Sequence, residues 1–287
     1  MLTGSEGGTE NAMDWLSRQF STRVIVLMPI AIAINIAVGY TVQTVLKLPI
    51  YMDSIGTILV GVLAGPIAGA LTGILSNLIW QYAPGIGGGT IGPFAVTAGV
   101  IGLLAGLWGY LGVYRPRPAS GTQLYGAALV GVAIILVLAW RIYTSPVYGG
   151  DPTTGGYGSG VYAVIVGIGV VAALAVGGFI ILRRDAAGAW VAVAGAVTGI
   201  VAAIVSAPIA AYLFGGVTGS GVDLIVAALR QGGADVFNAS LGQGFFSDPI
   251  DKTITSFVVY IVLASLSTRV LARFPLGERI AGSAAAY

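Results

Sequence analysis

Of the 287 residues, 56% are hydrophobic and 45 are glycine, while 13 Lys or Arg and 11 Asp or Glu make up the whole charged complement. Soluble domains carry about a quarter charged residues, so 8% excludes an ordinary water-soluble globule, and a net charge of +2 gives no basic face for nucleic acid. With neither Cys nor His, the chain cannot build a thiol nucleophile, a Ser-His-Asp triad, or a Cys or His ligand set for zinc or haem.

Residues 1–23 are polar at first, with Glu6, Glu10 and Asp14, and lack the basic-then-apolar order of a secretory leader. Within them, 12–20 brings Trp15 and Phe20 near Arg18, as an interfacial amphipathic helix would; a frayed tail is the other reading. The charge-free runs 24–46, 54–114, 118–140, 152–182 and 186–222 follow, then 253–268 flanked by Lys252 and Arg269. A crossing takes about 20 apolar residues, and runs this continuous, without alternation, predict helices rather than a barrel.

The 54–114 run holds a Gly/Pro-rich stretch at 83–93, which predicts a loop, and Gly65-Pro66, which interrupts the helix before it. That helix is either one kinked span or two short helices folded back at Gly65-Pro66. Counting Lys and Arg favours the fold-back: Arg18, Arg23, Arg115, Arg117, Arg183, Arg184, Arg269, Arg273 and Arg279 then lie inside, with Lys47, Arg141, Arg230 and Lys252 outside. Residues 118–182 read as a helical hairpin with an outer loop at 143–160. The next span is 189–214, with Pro208 inside it. Then come an amphipathic helix and loops over 215–247, a last span over 253–273, and a tail at 274–287.

Gly87-Gly88-Gly89-Thr90-Ile91-Gly92 fits a dinucleotide fingerprint only formally, because a membrane helix rather than a strand precedes it. The 215–221 glycines lack the Lys-Ser/Thr of a phosphate loop. Four constellations are more informative. In the run 48–57, Tyr51 and Asp53 form either a proline turn with Asp53 as the next helix's N-cap, or part of a lid over a pocket. Asn77 and Trp80 share a helical face. There Trp80 is an interfacial anchor or a ligand contact, and Asn77 needs a hydrogen-bond partner. In Ser247-Asp248-Pro249-Ile250-Asp251-Lys252, Asp248 as N-cap, Pro249 at the first position and an Asp248–Lys252 pair predict a helix start; its free N–H groups and Lys252 would also suit a polar ligand. Ala33 and Ala37 form a small-x-x-x-small pair that allows close helix approach.

In these residues, in Gly65-Pro66 followed by Gly69, Gly73, Asn77 and Trp80, and in Ser206-Ala207-Pro208 leading into 214–221, the chain resembles the substrate-binding (S) components of energy-coupling factor transporters. The resemblance covers about 150 residues, all but the N-terminal tail and the 118–182 hairpin. It implies an all-α polytopic membrane protein: a six-helix core over 24–117 and 186–273, with the inserted hairpin 118–185 making about eight membrane helices. Both termini would be cytoplasmic, at the cell membrane. It further implies an outward pocket for a vitamin-like small molecule, with Tyr51, Asp53, Asn77, Trp80, Asp248, Asp251 and Lys252 as ligand-binding residues. A transmembrane coupling subunit would dock on Ala33 and Ala37, two ATPase subunits would power import, and the chain would hold no catalytic residue, metal or cofactor.

Rival classes are weaker. An intramembrane hydrolase needs a nucleophile-base pair or two aspartates within the spans, and the Asp residues read as lying at or beyond span ends. An ion-coupled transporter or channel usually carries mid-membrane ionisable groups, and all acidic residues here read as lying at span ends. A sensor module needs an output domain, for which 272–287 is short. For topology, single cysteines at Gly87, Gly150 and Ser220 are expected to react with impermeant reagents from outside, and one at Ser120 only after the membrane is opened. Labelling of Gly87 and Ser120 from the same side would discard the fold-back arrangement.

Overall fold

The computed structural model describes residues 6–87, 90–143 and 159–282; Gly88, Gly89, most of the 143–160 loop including Gly150, and the last residues of the tail lie outside them. Every regular element described is helical. They are α1 (Glu6–Gln19), α2 (Thr22–Tyr40) continuing into a π-helical turn (Thr41–Val45), α3 (Ile55–Ala64), α4 (Pro66–Tyr82), α5 (Ala95–Tyr110), α6 (Gly121–Tyr143), α7 (Ser159–Arg183), α8 (Ala187–Phe214), α9 (Asp223–Gln231), α10 (Val236–Ser265), α11 (Thr268–Leu271) and α12 (Gly277–Ala281). Three segments among the described residues are long and apolar enough to cross a bilayer: Thr22–Val45, Gly92–Tyr110 and Ala187–Phe214. The exposed faces of the long helices carry Val26, Ile30, Val96, Leu107, Leu129, Leu174 and Ile204. Contiguous apolar surface of this extent suits lipid, not water.

Gly65 decides the first structural question. Its φ of +122° is open to glycine alone, and it ends α3 and starts α4 with Pro66 at the first position. Gly61 and Gly69, four residues to either side, are so close that a Cβ on Gly69 would lie 2.6 Å from the Gly61 Cα. In one kinked helix, eight residues would hold them about 12 Å apart. The two helices therefore fold back as an antiparallel hairpin. Against it lies α5, close enough that a Cβ on Gly102 would meet the Gly69 carbonyl carbon at 2.2 Å, and one on Gly106 the Pro66 nitrogen at 2.1 Å.

Asn35 ties α2 to this hairpin. Its Oδ1 accepts from the Gly56 N–H at 2.7 Å, and its Nδ2 donates to Thr57 Oγ1 at 2.8 Å and Ser76 Oγ at 2.9 Å. At the Gly65 turn, Gln19 from the end of α1 supplies the missing cap: its Oε1 accepts the N–H groups of Ile67 (2.9 Å) and Ala68 (3.4 Å). The amphipathic N-terminal segment is thus a helix, anchored again where Trp15 Nε1 donates to the Tyr110 hydroxyl at 2.7 Å. The C-terminal segment meets the same end. Arg279 donates to the Tyr110 carbonyl at 2.9 Å, the Leu276 N–H bonds to the Leu63 carbonyl at 2.9 Å, and Ile280 is buried.

The expected last span, 253–273, is corrected at both ends. Helix α10 begins far earlier, at Val236, where Asp235 is the N-cap and accepts from the Asn238 N–H at 2.9 Å; this bond and the Asn238 side chain hold the Asp235 carboxyl below its usual range. It stops at Ser265, because Ser267 caps the separate α11. Pro249 sits inside α10, where α8 comes into backbone contact at Gly199: a Cβ there would lie 2.4 Å from the Pro249 Cα. All nine arginines assigned to one side by the charge count gather at the end shared by α1, α11 and α12. Lys47, Arg141 and Arg230 lie at the other end, and Lys252 lies within α10 rather than beyond it.

Overpacking a backbone contact of this kind costs about 1–3 kcal/mol. Gly106→Ala is expected to lower the unfolding temperature in detergent clearly. Gly126→Ala, at an α6 position whose Cβ would meet nothing within 4 Å, is expected to leave it unchanged or raise it slightly. Equal effects from the two would contradict the packing of α5 on the Gly65-Pro66 turn.

Candidate functional site

Helices α8 and α10 approach each other through small residues. A Cβ on Gly195 would lie 2.6 Å from the Thr253 Cα, and one on Gly244 2.9 Å from the Ala203 Cβ. This near contact holds the polar residues of α10 at the centre of the bundle. Asp248 is 3% exposed, Asp251 0% and Lys252 3%, so three ionisable groups stand inside a helix rather than at its start. The expected N-cap role of Asp248, the N-terminal position of Pro249 and the Asp248–Lys252 pair are all corrected. The physical reason is compensation by residues distant in sequence, which allows charge where an uninterrupted apolar run would otherwise be needed.

The compensation comes from the α2–α3 connection. The Lys252 ammonium donates to Asp251 Oδ2 at 2.5 Å, Ser54 Oγ at 2.7 Å and Asp53 Oδ1 at 3.3 Å, which uses all three of its donors. Asp251 Oδ1 in turn accepts the backbone N–H groups of Met52 (2.7 Å) and Tyr51 (3.2 Å). The other oxygen of Asp53 accepts from Gln43 Nε2 at 3.2 Å. Asp53 therefore serves as a counter-ion and not as the N-cap of α3, a place taken by Ser54. The Tyr51 hydroxyl accepts from Gln243 at 3.2 Å, and its ring faces Lys252 with 5.9 Å from Nζ to the ring centroid. Burial first, and the Asp248 charge second, push the Tyr51 phenol well above its ordinary range, so it stays protonated.

Above this cluster, away from the arginine-rich end, lies a cavity of about 360 Å³. Six of the seven residues singled out in the sequence line it: Tyr51, Asp53, Asn77, Trp80, Asp248 and Lys252. Asp251 sits just behind, holding Lys252 and the loop backbone. Trp80 is no interfacial anchor. It is 2% exposed, its indole N–H donates to the Ile86 carbonyl at 3.1 Å, and its ring fills the space beside Gly39. Phe94 forms a second aromatic wall, stacked on Phe214. Loops close the top. Thr90 Oγ1 donates to the Thr218 carbonyl at 2.8 Å, Asp223 accepts the N–H groups of Thr218 and Gly219, and Gly221 packs on the Lys47 and Leu48 carbonyls.

Several lining groups have no protein partner. Asn77 is 5% exposed and makes no hydrogen bond among the described residues, and Thr97 Oγ1 and Ser240 Oγ are buried without one. Asp248 has only the Ser206 hydroxyl as a hydrogen-bond neighbour. Thr97, Ser240 and Gln243 were not singled out in the sequence, and Ser206 entered only within Ser206-Ala207-Pro208. A hydroxyl on an apolar helix reads locally as neutral, and only the packing of α5, α8 and α10 turns these residues to one cavity. Ala33 and Ala37 are elsewhere, on the exposed face of α2, while Ala31, Asn35 and Gly39 turn inward. Among the described residues, nothing covers the small-residue pair. Comparison with known protein families, with curated proteins and with solved structures finds no match to this chain.

Breaking a buried ion pair from one side costs about 3–5 kcal/mol, since the remaining charge is left uncompensated. Asp251→Ala is expected to lower folded yield and unfolding temperature by that order, and adding Lys252→Met is expected to restore part of the loss. A double variant less stable than Asp251→Ala would show that the ammonium is compensated without Asp251.

Proposed function

We propose that the chain is the membrane-embedded substrate-binding subunit of an energy-coupling-factor-type importer, taking a vitamin-like small molecule from outside the cell. The observation that carries this reading is a cavity with aromatic walls and four convergent polar groups: Asn77, Thr97 and Ser240 without a protein partner, and Asp248 with the Ser206 hydroxyl alone. A small number of placed polar groups in an apolar pocket is the usual form of a small-molecule site. By the positive-inside rule, nine cations against three favour a multi-pass plasma-membrane protein with the arginine-rich end and both termini cytoplasmic. The cavity then opens outward. On this reading α2–α5, α8 and α10 form the six-helix core, and α6–α7 the inserted hairpin, for eight membrane helices. The exposed Ala33 and Ala37 dock the transmembrane coupling subunit, with two ATPase subunits behind it.

The cluster geometry also constrains the ligand. Lys252 has no donor left for a carboxylate or phosphate, and the helix N-terminus that would have assisted it is not there. Asp248 is the ionisable group of the cluster with hydrogen-bonding capacity to spare, so the ligand presents a nitrogen-bearing group to it. A second reading, an ion-coupled carrier, gains from the same cluster, because buried mid-helix carboxylates are where such proteins hold their ions.

Mass spectrometry of small molecules co-purifying with the protein is expected to find a nitrogenous heterocycle. Asp248→Asn is expected to weaken its binding about 10- to 150-fold, the loss of one charged hydrogen bond, with the unfolding temperature nearly kept. Ala33→Leu with Ala37→Leu is expected to abolish co-purification of a coupling subunit while binding persists. Uptake that survives loss of the ATPases but collapses with an ionophore would favour the carrier instead.

A further inference from the structure

The arginine-rich end carries a second recess, remote from the cavity, of about 540 Å³ between α1, the start of α2 and the 273–279 turn. Arg18, Arg273 and Arg279 line it, with Trp15 and Tyr110 at its side. Asp14 is held by Arg18 at 3.5 Å, and Glu278 is exposed; neither carboxylate lines the recess. Two donors face into it without a partner. Gln19 is 1% exposed, and its amide orientation is fixed because Oε1 accepts from Ile67 and Ala68, yet its Nε2 bonds to nothing. Ser21 Oγ is likewise buried and unbonded. Ser21 is also the N-cap of the 19-residue α2 without capping it, and the N–H groups of Thr22, Arg23 and Val24 find no acceptor among the described residues.

The polar side chains that line this recess therefore offer donors and positive charge, and none is a carboxylate. Guanidinium groups, a side-chain amide, a hydroxyl and a helix N-terminus together match a tetrahedral oxyanion. Trp15, Met13 and Leu16 on exposed α1 set its depth, since such residues sit at the boundary of headgroups and acyl chains. We propose that this recess binds a phosphate group, with Gln19 Nε2, Ser21 Oγ, Arg18 and Arg273 as its donors. The phosphate is that of an anionic lipid headgroup in the leaflet at the arginine-rich end.

The test is native mass spectrometry of the full chain released from nanodiscs of mixed phosphatidylglycerol and phosphatidylcholine. The wild type is expected to retain one phosphatidylglycerol in preference to phosphatidylcholine. Arg18→Gln with Arg273→Gln is expected to reduce that retention at least about tenfold. Ser21→Ala, which changes no charge and breaks no protein bond, is expected to reduce it severalfold with the unfolding temperature kept. Displacement by inorganic phosphate at millimolar concentration would assign the recess to a free phosphate compound instead of a lipid. Unchanged retention in both variants would overturn the proposal. So would an equal loss in Arg184→Gln, a charge removed from the same end but away from the recess, since that would reduce the effect to general surface attraction.

Discussion

One ammonium group organises the upper half of this molecule. Lys252 stands inside a 30-residue helix with 3% exposure, and an uncompensated charge there would cost more than most domains' net stability. Its neutralisation takes Asp251 from the same helix and Asp53 and Ser54 from a segment about 200 residues earlier. The α2–α3 connection is thus fixed on α10 by charge, and fixed again by Asp251 through two backbone N–H groups. With that connection in place, Tyr51 and Asp53 become a wall of the cavity. Without it, the space above α10 would have no boundary on that side.

Glycine makes the arrangement compact enough to work. Gly195, Gly199 and Gly244 let α8 and α10 meet at backbone distance, and Gly61, Gly69, Gly102 and Gly106 do so around the hairpin turn. Small residues of this kind replace the hydrophobic drive that water provides elsewhere, because in lipid the helices associate through packing and hydrogen bonds. The polar links are placed accordingly. Asn35 and Gln19 each satisfy groups on helices other than their own, at the two ends of the α3–α4 hairpin.

Local sequence rules read the hairpin correctly, because Gly65-Pro66 acts through its own backbone: a positive φ, a missing N–H and a fixed ring. They also found six cavity residues, since a Trp, an Asn and clustered charges stand out against an apolar background. They failed at 248–252 for an equally physical reason. A rule that treats charges as span ends assumes water as their only solvent, whereas here Asp53 solvates Lys252 from a remote part of the chain. Thr97 and Ser240 were illegible because hydroxyls are common in membrane helices, and their lack of a partner is visible only after packing. Gln19 fell in a segment that reads as an amphipathic helix or a frayed tail, and its role is visible only with the bare N-terminus of α4 beside it.

The α2–α3 connection turns twice through left-handed backbone at residues that are not glycine, Lys47 with φ +50° and Met52 with φ +55°. Each such residue carries about 1–2 kcal/mol of steric strain. Asp251 holds the second of them directly, through the Met52 N–H. The segment between the two bends is therefore held rather than at rest: Asp251, Lys252 and Gln43 fix it, and the backbone preferences of Lys47 and Met52 pull the other way. Loosening that grip would release the strain at Met52, so this wall of the cavity is also a stretch of backbone that gains by moving.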